Sequence, residues 1–178
     1  SVKSRGLGDV YKRQHLYKPV ICKIQGSVLA GALLMVTNST HAVAVQEAKF
    51  SAPEILRGLW PHMVMAGLFR VMPKRAGLDF VMRGQSIDAK QAKEWGLINE
   101  FVRAEELDDY VNKLSEELAS LAPGTMSFGL EAYEKQDAMA FDEALPFLQK
   151  QIAKTFEGPD AKEGIAAFLE KRKPNWDK

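Results

Sequence analysis

With 178 residues, 46% of them apolar, and a formal net charge of +1, the chain is long enough to bury a core as one domain. Nothing in that charge balance draws it to nucleic acid or to an acidic or basic partner. Cys22 stands alone, Val28 to Val36 is too short an apolar run to span a bilayer, His15, His41 and His62 lack ligand spacing, and no glycine-rich phosphate loop occurs; disulfide frameworks, membrane spans, metal sites, nucleotide hydrolysis and dinucleotide binding therefore lack support.

The first fourteen residues, SVKSRGLGDVYKRQ, are basic and carry no apolar period, and DVYKRQ reads as the translated end of a sequencing-library adapter. Residues 1–14 are expected to be foreign read-through; the other reading is a basic tail. Lys18 to Gln25 alternates apolar and polar residues after a proline and predicts a strand. Gly26 to Gly31 supplies small residues for a tight strand-to-helix turn, and Ala30 to Thr37 continues as an apolar helix. A helix opening at Ala30 or Gly31 presents unpaired N–H groups and a positive dipole end, which suit an enolate or oxyanion. Small residues at a turn serve close packing more often than chemistry, so the turn alone leaves both readings open.

His41 to Gln46 predicts a short strand and Ala48 to Gly58 an irregular segment carrying Glu54, the candidate for proton transfer; a lone glutamate is otherwise most often solvated. Trp60 to Arg70 has a helical apolar face, Pro73 breaks it, and Arg75 to Arg83 forms a helix ended by Gly84. Asp88 is the expected N-cap of a helix over Ala89 to Trp95, and Leu97 to Val102 a strand. From Ala104 the pattern is helical throughout, over Glu105 to Leu121, Thr125 to Lys135, Phe141 to Glu157 and Asp160 to Lys171. Strands alternating with helices, then helices alone, predict an α/β core over 15–103 and a helical region over 104–178.

The order KPVI, LAGA, AKF and PEIxxG resembles the enoyl-CoA hydratase/isomerase, or crotonase, family, as do RGQSIDAKQAKEWGLINEFV and the closing EGIAAFLEKRKPNW. The resemblance runs from His15 to the end. It implies the C-terminal part of a crotonase-like spiral of ββα units and an acyl-CoA thioester as substrate, with no cofactor of the protein's own. It also implies a homotrimer or dimer of trimers built through the last helices, and a cytoplasmic location, or a mitochondrial or peroxisomal one in a eukaryote. In the family's pattern Gly31 supplies one N–H of the oxyanion hole, and the other lies upstream of KPVI, so the chain is expected to be an open-ended fragment and a poor enzyme as it stands. Glu54 matches the second of the family's two glutamates. The first one's place is Leu34, which exchanges no proton. The resemblance therefore implies first a hydratase/isomerase acting on enoyl-CoA thioesters through an oxyanion-stabilised enolate, in fatty-acid or related acyl-CoA metabolism, with Leu34 weighing against ordinary hydration; CoA binding without turnover and thioester hydrolysis are the alternatives. In WPHMVMAG, Trp60, His62, Met63 and Met65 would reshape the wall near the acyl group, with His62 a substitute acid or a packing residue. Phe168 and Lys171, three apart on one helix face, match the family's contacts to the adenine and its 3′-phosphate.

Overall fold

A computed structural model describes residues 16–176. The expected read-through at 1–14 lies outside them. The described residues form two compact units, one over Pro19–Ser115 and one from Glu116 onward that also takes 16–18.

The first unit is built on two small sheets. Strands β1 (Ile21–Ile24), β3 (His41–Val45) and β6 (Glu100–Val102) form an all-parallel sheet with β3 in the middle. A central parallel strand is covered on both faces, which is why HAVAV is apolar without alternation and Val43 and Ala44 are fully buried. Strands β2 (Val28–Leu29), β4 (Lys49–Ser51) and β5 (Ile87–Asp88) form the other sheet, β2 and β4 parallel and β5 antiparallel to β4. Neither β2 nor β5 is long enough to show a period, and sequence pattern missed both.

The helices of this unit follow the expected order with shifted ends. The apolar segment after β2 is a 3₁₀ turn, Ala30–Ala32, that leads into the short helix α1 (Leu33–Thr37). Helix α2 (His62–Val71) packs on both, and α3 (Lys74–Arg83) packs on a second 3₁₀ turn, Pro53–Arg57. Asp88 caps α4 (Ala89–Glu94) as expected, its carboxylate accepting from Gln91 N–H at 2.8 Å. Leu97 and Ile98, predicted as strand, are instead tied to the end of α4, Leu97 N–H donating to Ala92 O at 2.8 Å; Asn99 N–H donates to Ala42 O of β3 at 2.9 Å, and β6 begins only at Glu100. Phe50, Phe80, Leu33, Leu68, Leu107, Val43 and Val81 are the largest fully buried side chains, so strands and helices share one core.

At two glycines a neighbouring side chain packs directly against the backbone. Gly84 ends α3 in the left-handed region (φ 60°), and a Cβ there would lie 2.8 Å from Ile55 Cγ2, in the turn that carries Glu54. Gly67, in the middle of α2, faces α1: a Cβ would fall 2.0 Å from Thr37 Oγ1. Thr37 is buried, with 8% of its surface exposed, so it has little room to yield. Gly67→Ala is therefore expected to destabilise the fold by about 1–3 kcal/mol despite Ala's better helix propensity. A thermal midpoint equal to that of the unsubstituted chain, followed by circular dichroism, would refute this contact.

The second unit is helical. Helix α5 (Leu107–Ala119) runs into it, and α6 (Pro123–Gln136), α7 (Phe141–Glu157) and α8 (Pro159–Leu169) pack on one another in pairs. Asp160, in the first turn of α8, accepts from Thr125 N–H at 2.8 Å and so satisfies an orphan donor at the start of α6. Beyond α8 the chain doubles back: Trp176 Nε1–H donates to Ser120 O at 2.9 Å, and its ring lies against Gly164.

Candidate functional site

The register of two short strands sets the geometry. Leu29 of β2 pairs with Ser51 of β4 in parallel, so the chain segments leaving both strands emerge from one sheet edge. Ala30–Ala32 leaves the first strand and carries Gly31; Ala52 and the turn Pro53–Arg57 leave the second and carry Glu54. The carboxyl edge of parallel strands, where connections open outward, is a favoured place for ligands in α/β sheets.

The turn at Gly31 is unusual. Leu29 is extended, and Ala30 then adopts φ 49°, a left-handed conformation uncommon for a residue with a Cβ. Gly31 is exposed, and nothing lies within 4 Å of where its Cβ would be. The first amides of a 3₁₀ turn have no partner within it, which makes the Gly31 N–H a candidate donor at this edge.

Glu54 follows Pro53, whose fixed φ suits the first position of a helical turn. The turn is closed by Gly58 in the left-handed region and by Leu59 N–H donating to Glu54 O at 3.1 Å. One carboxylate oxygen of Glu54, Oε2, is buried without a hydrogen-bond partner. Buried polar atoms are nearly always paired, and one left open calls for an explanation such as a catalytic role or an ordered water.

Leu34 is partly buried and packs against the core. His62 is exposed at the start of α2, where its own N–H donates to Trp60 O at 2.8 Å. Trp60 is partly buried, with its indole N–H donating to Met65 Sδ at 2.9 Å, which pins the link between the Glu54 turn and α2.

Phe168 and Lys171 belong to the second unit, and here the expectation needs correction. They do not share a helix face, because α8 ends at Leu169 and Lys171 lies past it in the left-handed region at φ 54°. Phe168 is 82% exposed. Arg172, next in sequence, bonds Glu163 and Glu170, and those hydrogen bonds, Glu163's first, push its guanidinium above its ordinary pKa and keep it charged. A cleft of about 220 Å³ in the same unit, lined by Phe128, Lys154, Thr155 and Asp160 among others, includes none of the predicted site residues. Among the described residues no cluster of His, Cys, Asp and Glu could hold a metal ion, and no helix is long and apolar enough to cross a membrane.

A model of the enoyl-CoA hydratase/isomerase family matches residues 4–178. The chain belongs to that family. The matched span begins inside the fourteen residues expected to be foreign. Among curated relatives, the Dictyostelium discoideum protein named "Probable enoyl-CoA hydratase, mitochondrial" is 31% identical over 89% of this chain and 58% of its own length. Carnitinyl-CoA dehydratase of Escherichia coli K12 is 29% identical over 96% of this chain and 66% of its own. The crystal structure of an enoyl-CoA hydratase from Mycobacterium smegmatis superposes with a TM-score of 0.91 at 26% identity, covering all of this chain and 73% of that one. This enoyl-CoA hydratase/isomerase family chain thus has the crotonase fold, and it spans 58% of the length of the first of these relatives.

Proposed function

We propose that the chain carries the proton-transfer centre of an enzyme that acts on enoyl-CoA thioesters through an oxyanion-stabilised enolate. The observation that carries this reading is the buried, unpartnered Oε2 of Glu54 on the same sheet edge as the Gly31 turn. With a 3-enoyl-CoA, Glu54 takes a proton from C2 and the C–H electrons move into the thioester, placing negative charge on its oxygen. The Gly31 N–H hydrogen-bonds that oxygen, and one such donor is worth about 3–4 kcal/mol of barrier. Glu54 then returns the proton at C4, which gives the 2-enoyl-CoA. One carboxylate suffices for both transfers.

Water addition asks for more, because a proton must leave water as another reaches carbon. Leu34 has no proton to give or take, and its packing against the core leaves it no polar role. The proposed balance therefore favours double-bond isomerisation over hydration. The same residue favours, as a second reading, a relative that binds CoA without turnover.

In this proposal Phe168 and Lys171 meet the adenine and 3′-phosphate of CoA, the exposed ring supplying a stacking face and the ammonium a counter-charge. A homotrimer or dimer of trimers is supported by the apolar stripe on α7, where Phe141, Leu145, Ile152 and Phe156 are exposed at helical spacing. The lone Cys22 suits the cytoplasm, or a mitochondrion or peroxisome.

Incubating the full-length protein with 2-enoyl- and 3-enoyl-CoA thioesters of short and medium length tests the reading. Conversion of 3-enoyl- to 2-enoyl-CoA is expected to outrun water addition. Hydration at equal or greater rate would reject the role given to Leu34, and no conversion of any thioester would leave the non-catalytic reading standing.

A further inference from the structure

The left-handed backbone of Lys171 holds only where its surroundings over-determine it, and such residues gather at ligand clamps. The surroundings here centre on Arg172. Its guanidinium reaches Glu163 through both Nη atoms, with Nη2 to Oε2 at 3.2 Å, and reaches Glu170 through Nε. Nη1 also donates to Lys173 O at 3.2 Å. Around the turn, Arg172 N–H donates to Ala167 O at 3.0 Å and Lys171 N–H to Phe168 O at 3.2 Å. Glu163 is the inner anchor: its side chain is 16% exposed against 60% for Glu170, and it also accepts from Asn175 N–H at 2.7 Å.

An arginine flanked by two lysines would ordinarily be the first choice for a phosphate ligand, because its planar fork matches phosphate oxygens in pairs. In this chain each guanidinium nitrogen of Arg172 already donates to an acceptor of the protein.

We propose that Arg172 is a positioning residue rather than a phosphate ligand: held by Glu163 and Glu170, it fixes the turn that presents the Lys171 ammonium to the nucleotide end of CoA. This rests on the reading of Phe168 and Lys171 as CoA contacts. Arg172 thereby acts on affinity without touching the ligand.

The test is the affinity of the purified chain for CoA and for 3′-dephospho-CoA by titration calorimetry. The unsubstituted chain is expected to prefer CoA, and Lys171→Ala to abolish the preference. Glu163→Gln leaves Lys171, Arg172 and Lys173 in place but weakens the lock, and it is expected to cut the preference about tenfold, roughly the worth of one charge-assisted hydrogen bond. Were Arg172 itself the ligand, Glu163→Gln would free it, and the preference would hold or rise. Either result overturns the proposal. Because Glu163 is mostly buried, thermal midpoints are recorded beside the affinities, and Glu170→Gln at the exposed anchor serves as the second variant, with a smaller loss in the same direction. A preference unchanged in Glu170→Gln, where Glu163→Gln fails to fold, also overturns it. A preference that survives Lys171→Ala removes the Lys171 contact itself, a failure of the underlying reading that is distinct from a failure of the lock.

Discussion

Glu54→Gln is expected to slow turnover of 3-enoyl-CoA about 10²- to 10⁴-fold, the usual effect of losing a positioned acid or base. The substitution keeps the shape of the side chain and removes its capacity to carry a proton. The backbone of the turn does not depend on the carboxylate, because Pro53 opens it and Leu59 N–H closes it onto Glu54 O at 3.1 Å. Thermal stability and affinity for CoA should therefore stay close to those of the unsubstituted chain, and the loss should appear in kcat. Near-native kcat would remove Glu54 from the chemistry and turn attention to His62, exposed at the start of α2.

The second large effect is expected at Gly31. Nothing in the protein lies within 4 Å of an added Cβ, so Gly31→Ala meets no steric objection from the fold. In the proposed complex, however, that open space is where the thioester oxygen approaches the amide. A displacement of about 1 Å in a reacting group can cost on the order of 10²-fold in rate. Gly31→Ala is thus expected to lose turnover to about that extent at an unchanged thermal midpoint. Full activity would mean that the Gly31 amide faces no substrate, and a lowered midpoint would mean that the glycine serves packing instead.

Long elements were legible because their signals are local and repeated. Helix α7 runs over Phe141–Glu157, where apolar spacing put it, and Gly84 and Asp88 mark the ends their side-chain chemistry predicts. The short pair β2 and β4 was not legible as a pair. Two residues in Val28–Leu29 show no period, and only the ladder reveals that Gly31 and Glu54 leave the same sheet edge. Ala30 hid its left-handed conformation for a related reason: a residue with a Cβ gives no composition signal for positive φ, whereas glycine would. At the far end, helical spacing suggested that Phe168 and Lys171 align. The pattern could not show that α8 stops at Leu169, because the stop is made by Lys171 in the left-handed region and Arg172 N–H turning back onto Ala167 O, which a residue with a Cβ does not announce. Glu163 itself went unnoticed as a partner of Arg172, since a glutamate in an early helical turn reads as ordinary dipole compensation.

Cleavage of the C2–H bond tests the central claim most directly. A 3-enoyl-CoA deuterated at C2 is offered to the full-length protein and to Glu54→Gln, and the label leaving C2, whether it reappears at C4 or exchanges into water, is followed by NMR. The unsubstituted chain is expected to remove deuterium from C2, and Glu54→Gln to do so at least about 10²-fold more slowly while binding CoA equally well. Removal of the label at equal rates by the two proteins would contradict the account, because the proton would then be moving through some other group.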